Sequence, residues 1–151
     1  MRVLIDGDGC PLKIKELVFR AAEKRGVNVV LVANRPMAVP RHPRIAAVVV
    51  EQGLDVADDW LVQSVAAGEL VITSDVPLAA QLVAKGALAL SPRGELFTAE
   101  NVGERLSMRD FFVEARASEI IAGGGPPPLD EKAVRRFANA FDTWLSRAMR
   151  G

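Results

Sequence analysis

Apolar residues along this chain fall into short blocks separated by longer amphipathic stretches. Val3-Leu4-Ile5, Val27 to Ala33 (broken only by Asn28), Ile45 to Val50, Leu70 to Thr73 and Ala87 to Leu90 are such blocks. They are too short for helices, carry β-branched residues and end at glycines or polar turns, which predicts buried strands. Between them, Leu12 to Arg25 places Leu12, Leu17, Val18 and Ala21 near helical spacing and stops at Gly26. A second helix is expected from a cap at Asp55 to Gly68, burying Leu61, Val65 and Trp60, and a third from Val76 through Lys85, closed by Gly86. Strand and helix alternate through short connections, the pattern of right-handed crossovers between parallel strands. The expected fold is therefore α/β: a three-layer α/β/α sandwich with a mainly parallel, Rossmann-like sheet, plus C-terminal helices.

Beyond the fifth block the character changes. Residues 91–98 read as a turn and a brief extended segment, and Asn101 to Ala117 as a helix with Val102, Leu106, Phe111 and Phe112 as apolar contacts. Ala122 to Pro128 (AGGGPPP) is a glycine- and proline-rich linker, after which Asp130 caps a last helix running to about Met149. Its Val134, Phe137, Phe141 and Trp144-Leu145 must cover something apolar, either the sheet or a second subunit in a homodimer. The expectation is one domain over 1–151, with the sheet core in 1–98 and a helical segment in 99–151.

Composition narrows the function classes. Formal net charge is zero, so no global field draws in nucleic acid and any RNA contact must use a local basic patch. One cysteine and one histidine rule out an internal disulfide and a Cys- or His-based zinc site. No apolar run is long enough to span a bilayer, and the first residues lack the layout of a signal peptide, which predicts a cytoplasmic protein without membrane contact.

The candidate chemistry lies in the acids. Asp6 and Asp8 follow the first strand in Asp6-Gly7-Asp8-Gly9-Cys10-Pro11; extended backbone points both the same way, and Pro11 suits the first position of a helix. The plainer alternative is that Asp8 merely caps that helix. Asp55, Asp58 and Asp59 share one face at the start of the second helix, where the helix dipole accounts for one or two of them. Asp75 ends the fourth strand just before Pro77, repeating the first pattern; Asp6 and Asp75 meet if their strands are neighbours. Carboxylates gathered without a cation raise one another's pKa. Mg²⁺ or Mn²⁺ relieves that repulsion and can activate water toward a phosphodiester. No Ser-His-acid set offers a rival nucleophile. Arg35, Arg41, His42 and Arg44 lie in a proline-rich loop that is either phosphate-contacting or simply solvated, and Ser74 is a further phosphate-contact candidate. The triple glycine follows no strand and is no phosphate loop. Cys10 reads as a small residue fitted under the turn rather than a reactive thiol.

IDGDGCP, GLDVADDWLV, VITSDVPLAAQLVAKGA and GGGPPP, in this order, resemble the bacterial YaiI/YqxD family over essentially the whole chain. That family is usually grouped with PIN-like and NYN-type nuclease domains. The resemblance implies a parallel sheet and an acidic, metal-dependent ribonuclease site. Asp6 then matches the acid after the first strand, Asp55 with Asp58 or Asp59 the acids of the central helix, and Asp75 the acid after the next strand. Asp8 belongs to the family's own motif; Gly7 and Gly9 stand where alanines are usual there. A further acid of many such nucleases has only Glu51 as a counterpart. Two alternatives remain: a catalytically inactive RNA- or protein-binding module on the same fold, and a haloacid-dehalogenase-like phosphatase with Asp6 as nucleophile, Asp8 as acid and Ser74 or Thr73 as a phosphate contact.

Overall fold

The structure, a computed structural model, describes residues 1–53, 55–107 and 129–150. The expected helix beyond residue 107, with Phe111 and Phe112, and the linker 122–128 lie outside the described residues. Strands β1 (Arg2–Asp6), β2 (Asn28–Ala33), β3 (Ile45–Val49), β4 (Leu70–Ile72), β5 (Leu88–Leu90) and β6 (Leu96–Phe97) form one six-stranded sheet in the order β3-β2-β1-β4-β5-β6. All pairings are parallel except β5 with β6. Helices α1 (Leu12–Arg25), α2 (Val56–Ser64), α3 (Val76–Ala84) and α4 (Glu131–Arg150) cover its two faces, and residues 102–107 add a short helical stretch. This is the three-layer α/β/α sandwich anticipated from the pattern.

Alternation along the strands sorts the side chains into two cores. Val3, Ile5, Val29, Leu31 and Ile72 face α1 and α4, meeting Ile14, Val18, Phe137, Phe141 and Leu145. Leu4, Val32, Val71 and Ala89 face α2 and α3, meeting Leu61, Leu78 and Leu82. The apolar stripe of α4, expected to cover either sheet or subunit, lies on the sheet, and Asp130 caps that helix by accepting the Ala133 N–H at 2.8 Å. Two helix assignments shift. In α1 the buried face is Ile14, Val18, Phe19 and Ala22, with Leu12 66% exposed; the extra turn of spacing available from Ile14 to Ala22 outweighs the first leucine. Helix α2 stops at Ser64 rather than Gly68, because Val65 turns to extended backbone to bury its side chain. Pro11 is the residue before α1, not its first member, and its carbonyl accepts the Ile14 and Lys15 N–H groups.

The amino ends of β1 and β4 are clipped by an ion pair between half-buried Arg2 and buried Glu69. Glu69 accepts the Arg2 backbone N–H (3.0 Å), Arg2 Nε (2.9 Å), Arg2 Nη2 (3.0 Å) and the Ala66 N–H (2.8 Å). Burial alone would raise the Glu69 pKa; these donors and the Arg2 charge outweigh it and lower it. At the other end, the β5–β6 turn presses on α4: a Cβ at Gly94 (φ 88°) would stand 2.5 Å from the Arg136 carbonyl carbon.

Glu69→Ala leaves the Arg2 guanidinium and two N–H groups without their acceptor, and should cost about 3 kcal/mol in chemical denaturation. Gly94→Ala combines backbone strain with overpacking and should cost about 2–4 kcal/mol by the same measurement. A loss below about 1 kcal/mol in either would contradict the corresponding contact's role.

A candidate acidic site at the strand exits

Strands β1 and β4 are adjacent, yet the chain leaves β1 toward β2 and leaves β4 toward β5. Connections that diverge from neighbouring parallel strands open a crevice at their carboxyl ends, the usual place for ligands in such sheets. Here the crevice is a cleft of about 350 Å³ lined by Asp6, Asp8, Gly9, Asn34, Gly53, Asp55, Ala57, Asp58, Ser74 and Asp75. A larger groove of about 830 Å³, bordered by Met1, Leu70, Leu88, Leu90 and Trp144, is apolar and carries no carboxylate among its described lining residues.

Each acid reaches the cleft by a different local route. Asp6 is the last residue of β1; the Gly7 N–H donates to the Val32 carbonyl at 2.8 Å and turns the chain away from the sheet. A Cβ at Gly9 would have room, 3.7 Å from Ser74 Oγ, whereas one at Gly7 would touch Leu31 Cδ1 and the Val32 carbonyl at 3.0 Å. Asp8 does not cap α1: its Oδ2 accepts the Asn34 N–H at 3.1 Å and joins the exits of β1 and β2. Asp75 caps α3, Oδ1 accepting the Leu78 N–H at 3.0 Å. Asp55 precedes α2 in the left-handed region (φ 65°, ψ 8°), which aspartate tolerates better than most residues, and makes no side-chain cap.

The expected grouping is met in part. Asp6, Asp8, Asp55, Asp58, Ser74 and Asp75 share the cleft. Asp59 does not: one residue further around α2, it is exposed and outside the lining. Glu51 is likewise exposed and outside it. Arg35 follows Asn34 at the carboxyl edge, but Arg41 and Arg44 are carried to the other edge. Parallel pairing of β2 and β3 forces their connection across the full depth of the sheet, so the Arg44 carbonyl accepts the N–H of Val29 near the start of β2, and its guanidinium bonds Asn28 Oδ1 at 3.4 Å. Arg41 and Arg44 therefore do not flank the acids. Asn34 escaped the sequence reading, and Thr73 entered it only as a phosphate contact of the phosphatase alternative; both places follow from asking which residues lie at the exits of the strands flanking β1.

Burial is the main reason that Asp58 is pushed up to about 6, followed by the charges of Asp75, Asp6 and Asp55 and a hydrogen bond with Asp75. Burial also raises Asp6; a Thr73 hydrogen bond opposes it, and the Asp8 and Asp75 charges add to it. Cys10, buried beneath the turn, is pushed up to about 12 by desolvation, so its thiol stays protonated and inert at neutral pH. The donors are hard oxygens under mutual repulsion, which suits a hard divalent cation. Among the described residues no three acids, histidines or cysteines form a ready-made cage.

Fold and site together define a doubly wound α/β protein with an acidic cleft at its topological switch point. The chain belongs to the Uncharacterized BCR, YaiI/YqxD family, which matches residues 4–147. It is similar to UPF0178 proteins of Shewanella amazonensis (55% identity; 97% of this chain, 98% of the relative), Thioalkalivibrio sulfidiphilus (53%; 97% and 99%) and Geobacter sulfurreducens (49%; 99% of both). Rae1 (YacP) from Bacillus subtilis, solved as its W164L mutant, aligns over 98% of this chain and 99% of its own at 18% identity with a TM-score of 0.42. No helix among the described residues is long and apolar enough to cross a membrane.

The raised Asp58 pKa has a defined sign. The folded state holds this proton more tightly than the unfolded chain, so stability falls as pH rises from the ordinary carboxyl range through about 6, and the full penalty stands above it. Asp58→Asn should raise the melting temperature at pH 7.5 by a few degrees, on the order of 1 kcal/mol after solvent screening, and leave it unchanged near pH 4. An equal change at both pH values would show that repulsion at Asp58 is not the cause.

Proposed function

We propose that this protein is a metal-dependent ribonuclease that hydrolyses phosphodiester bonds in the acidic cleft. The observation that carries this reading is the convergence of Asp6, Asp58 and Asp75 from three different connections at the switch point, close enough to raise the Asp58 pKa together. Such repulsion persists in a fold only when something else offsets it, and a bound cation does so directly. Asp6 and Asp75 would hold Mg²⁺ or Mn²⁺, with Asp8 and Asp55 acting through water. A divalent ion there supplies neutralisation of phosphoryl charge and a lowered pKa of water. Asp58, half-buried on the same cleft wall beside Asp75, would then be the carboxylate placed to take a proton from that water. The Ser74 hydroxyl, exposed on the cleft wall, and Arg35, next in the chain to the lining residue Asn34, offer phosphate contacts. RNA as substrate is supported by the motif resemblance to PIN-like and NYN-type nucleases. The phosphatase alternative loses its Thr73 phosphate contact, because that hydroxyl is buried and already bonded on both sides.

The test is cleavage of labelled single-stranded RNA with Mn²⁺ or Mg²⁺, with EDTA as control. Asp6→Asn and Asp75→Asn should each lower the rate by at least ~100-fold while the variants remain folded by circular dichroism. Absence of cleavage by the wild type with either ion would overturn the reading. RNA affinity that is salt-dependent and survives EDTA would point instead to a binding module.

A further inference from the structure

Thr73 carries a buried hydroxyl at the edge of the cleft, 2% exposed and one residue beyond β4. Its Oγ1 makes two bonds in opposite senses. It donates to Asp6 Oδ2 at 2.9 Å and accepts the Asp75 backbone N–H at 3.0 Å. A hydroxyl has one proton, and the Asp75 amide can only donate, so that proton is directed to Asp6. The strand pairing explains the contact: Ile5 stands opposite Ile72, so the next residues, Asp6 and Thr73, continue side by side as β1 and β4 end. Thr73 thus links the carboxylate leaving one strand to the turn that presents the carboxylate leaving the other.

We propose that Thr73 is a positioning residue, whose hydroxyl sets the Asp6 carboxylate and the Asp75 turn at a fixed relation to one another. The consequence for cation binding rests on the reading of the cleft given above; the link itself does not. Its methyl group packs in a buried position that valine fills equally well, so Thr73→Val isolates the hydroxyl, while Thr73→Ser restores it.

Two readouts on the full-length protein separate these layers. The first is hydrogen exchange at the Asp75 amide without metal. Protection should fall in Thr73→Val and return in Thr73→Ser; protection unchanged in Thr73→Val overturns the proposal. The second is Mn²⁺ affinity by calorimetry, where Thr73→Val should weaken binding about 10-fold or more and Thr73→Ser should stay near wild type. Wild-type affinity in Thr73→Val would overturn the positioning role at the cation site. A wild type that binds no Mn²⁺, but whose Asp75 amide responds as expected, would sink the ion-binding reading and uphold the link.

Discussion

The parallel pairing of β1 with β4 is the constraint on which the rest of the molecule depends. Its register sets Val3 beside Leu70, Leu4 beside Val71 and Ile5 beside Ile72. These six side chains are fully buried and supply the centre of both cores. Because strand and helix each carry a fixed hand, crossovers running from β1 toward β2 lie on one face and those running from β4 toward β5 lie on the other. Helix α1 accordingly covers one side, α3 the opposite side, and the connections part at the carboxyl edge. The cleft is the space they leave.

The two ends of this central strand pair are treated differently. At the amino end, Arg2 and Glu69 neutralise one another in a multiply bonded pair, with Arg2 Nη2 also donating to the Ser64 carbonyl at 2.8 Å. At the carboxyl end, like charges are gathered instead, and among the described residues the donors that meet them are neutral: the Thr73 hydroxyl and the Asn34 and Leu78 amides. Hydrogen bonds of this kind hold carboxylates in place without cancelling their charge. The dry cores on either side bear the energetic cost, leaving the edge free to carry an electrostatic strain that a ligand can relieve. This division of labour between a stable sheet and an uneasy edge is common where function requires preorganised charge.

Why some expectations failed is equally physical. Asp59 and Asp58 adjoin in sequence, but a helix rotates successive residues by about 100°, so only one could face the cleft once Asp55 had set the entry angle. Arg41 and Arg44 share a loop with Arg35, yet a loop between parallel neighbours must travel from one edge of the sheet to the other. The plainer alternative for Asp8, a helix cap, is the one that does not form: Pro11 takes the cap position of α1, and the exposed Asp8 side chain reaches Asn34 across the turn.

Local pattern by itself determined the order of strands and helices, the cap at Asp130, and the placing of acids at strand exits, because periodicity, turn chemistry and capping act within a few residues. Only the tertiary structure decided that β4 rather than β3 lies beside β1, that Asp6 and Asp75 therefore share one cleft, and that Asn34 and Thr73 belong with them. Strand neighbours and register depend on burying two apolar faces against helices distant in the chain, a global optimum that no short stretch encodes. The residues of the site were legible one by one; their meeting was not.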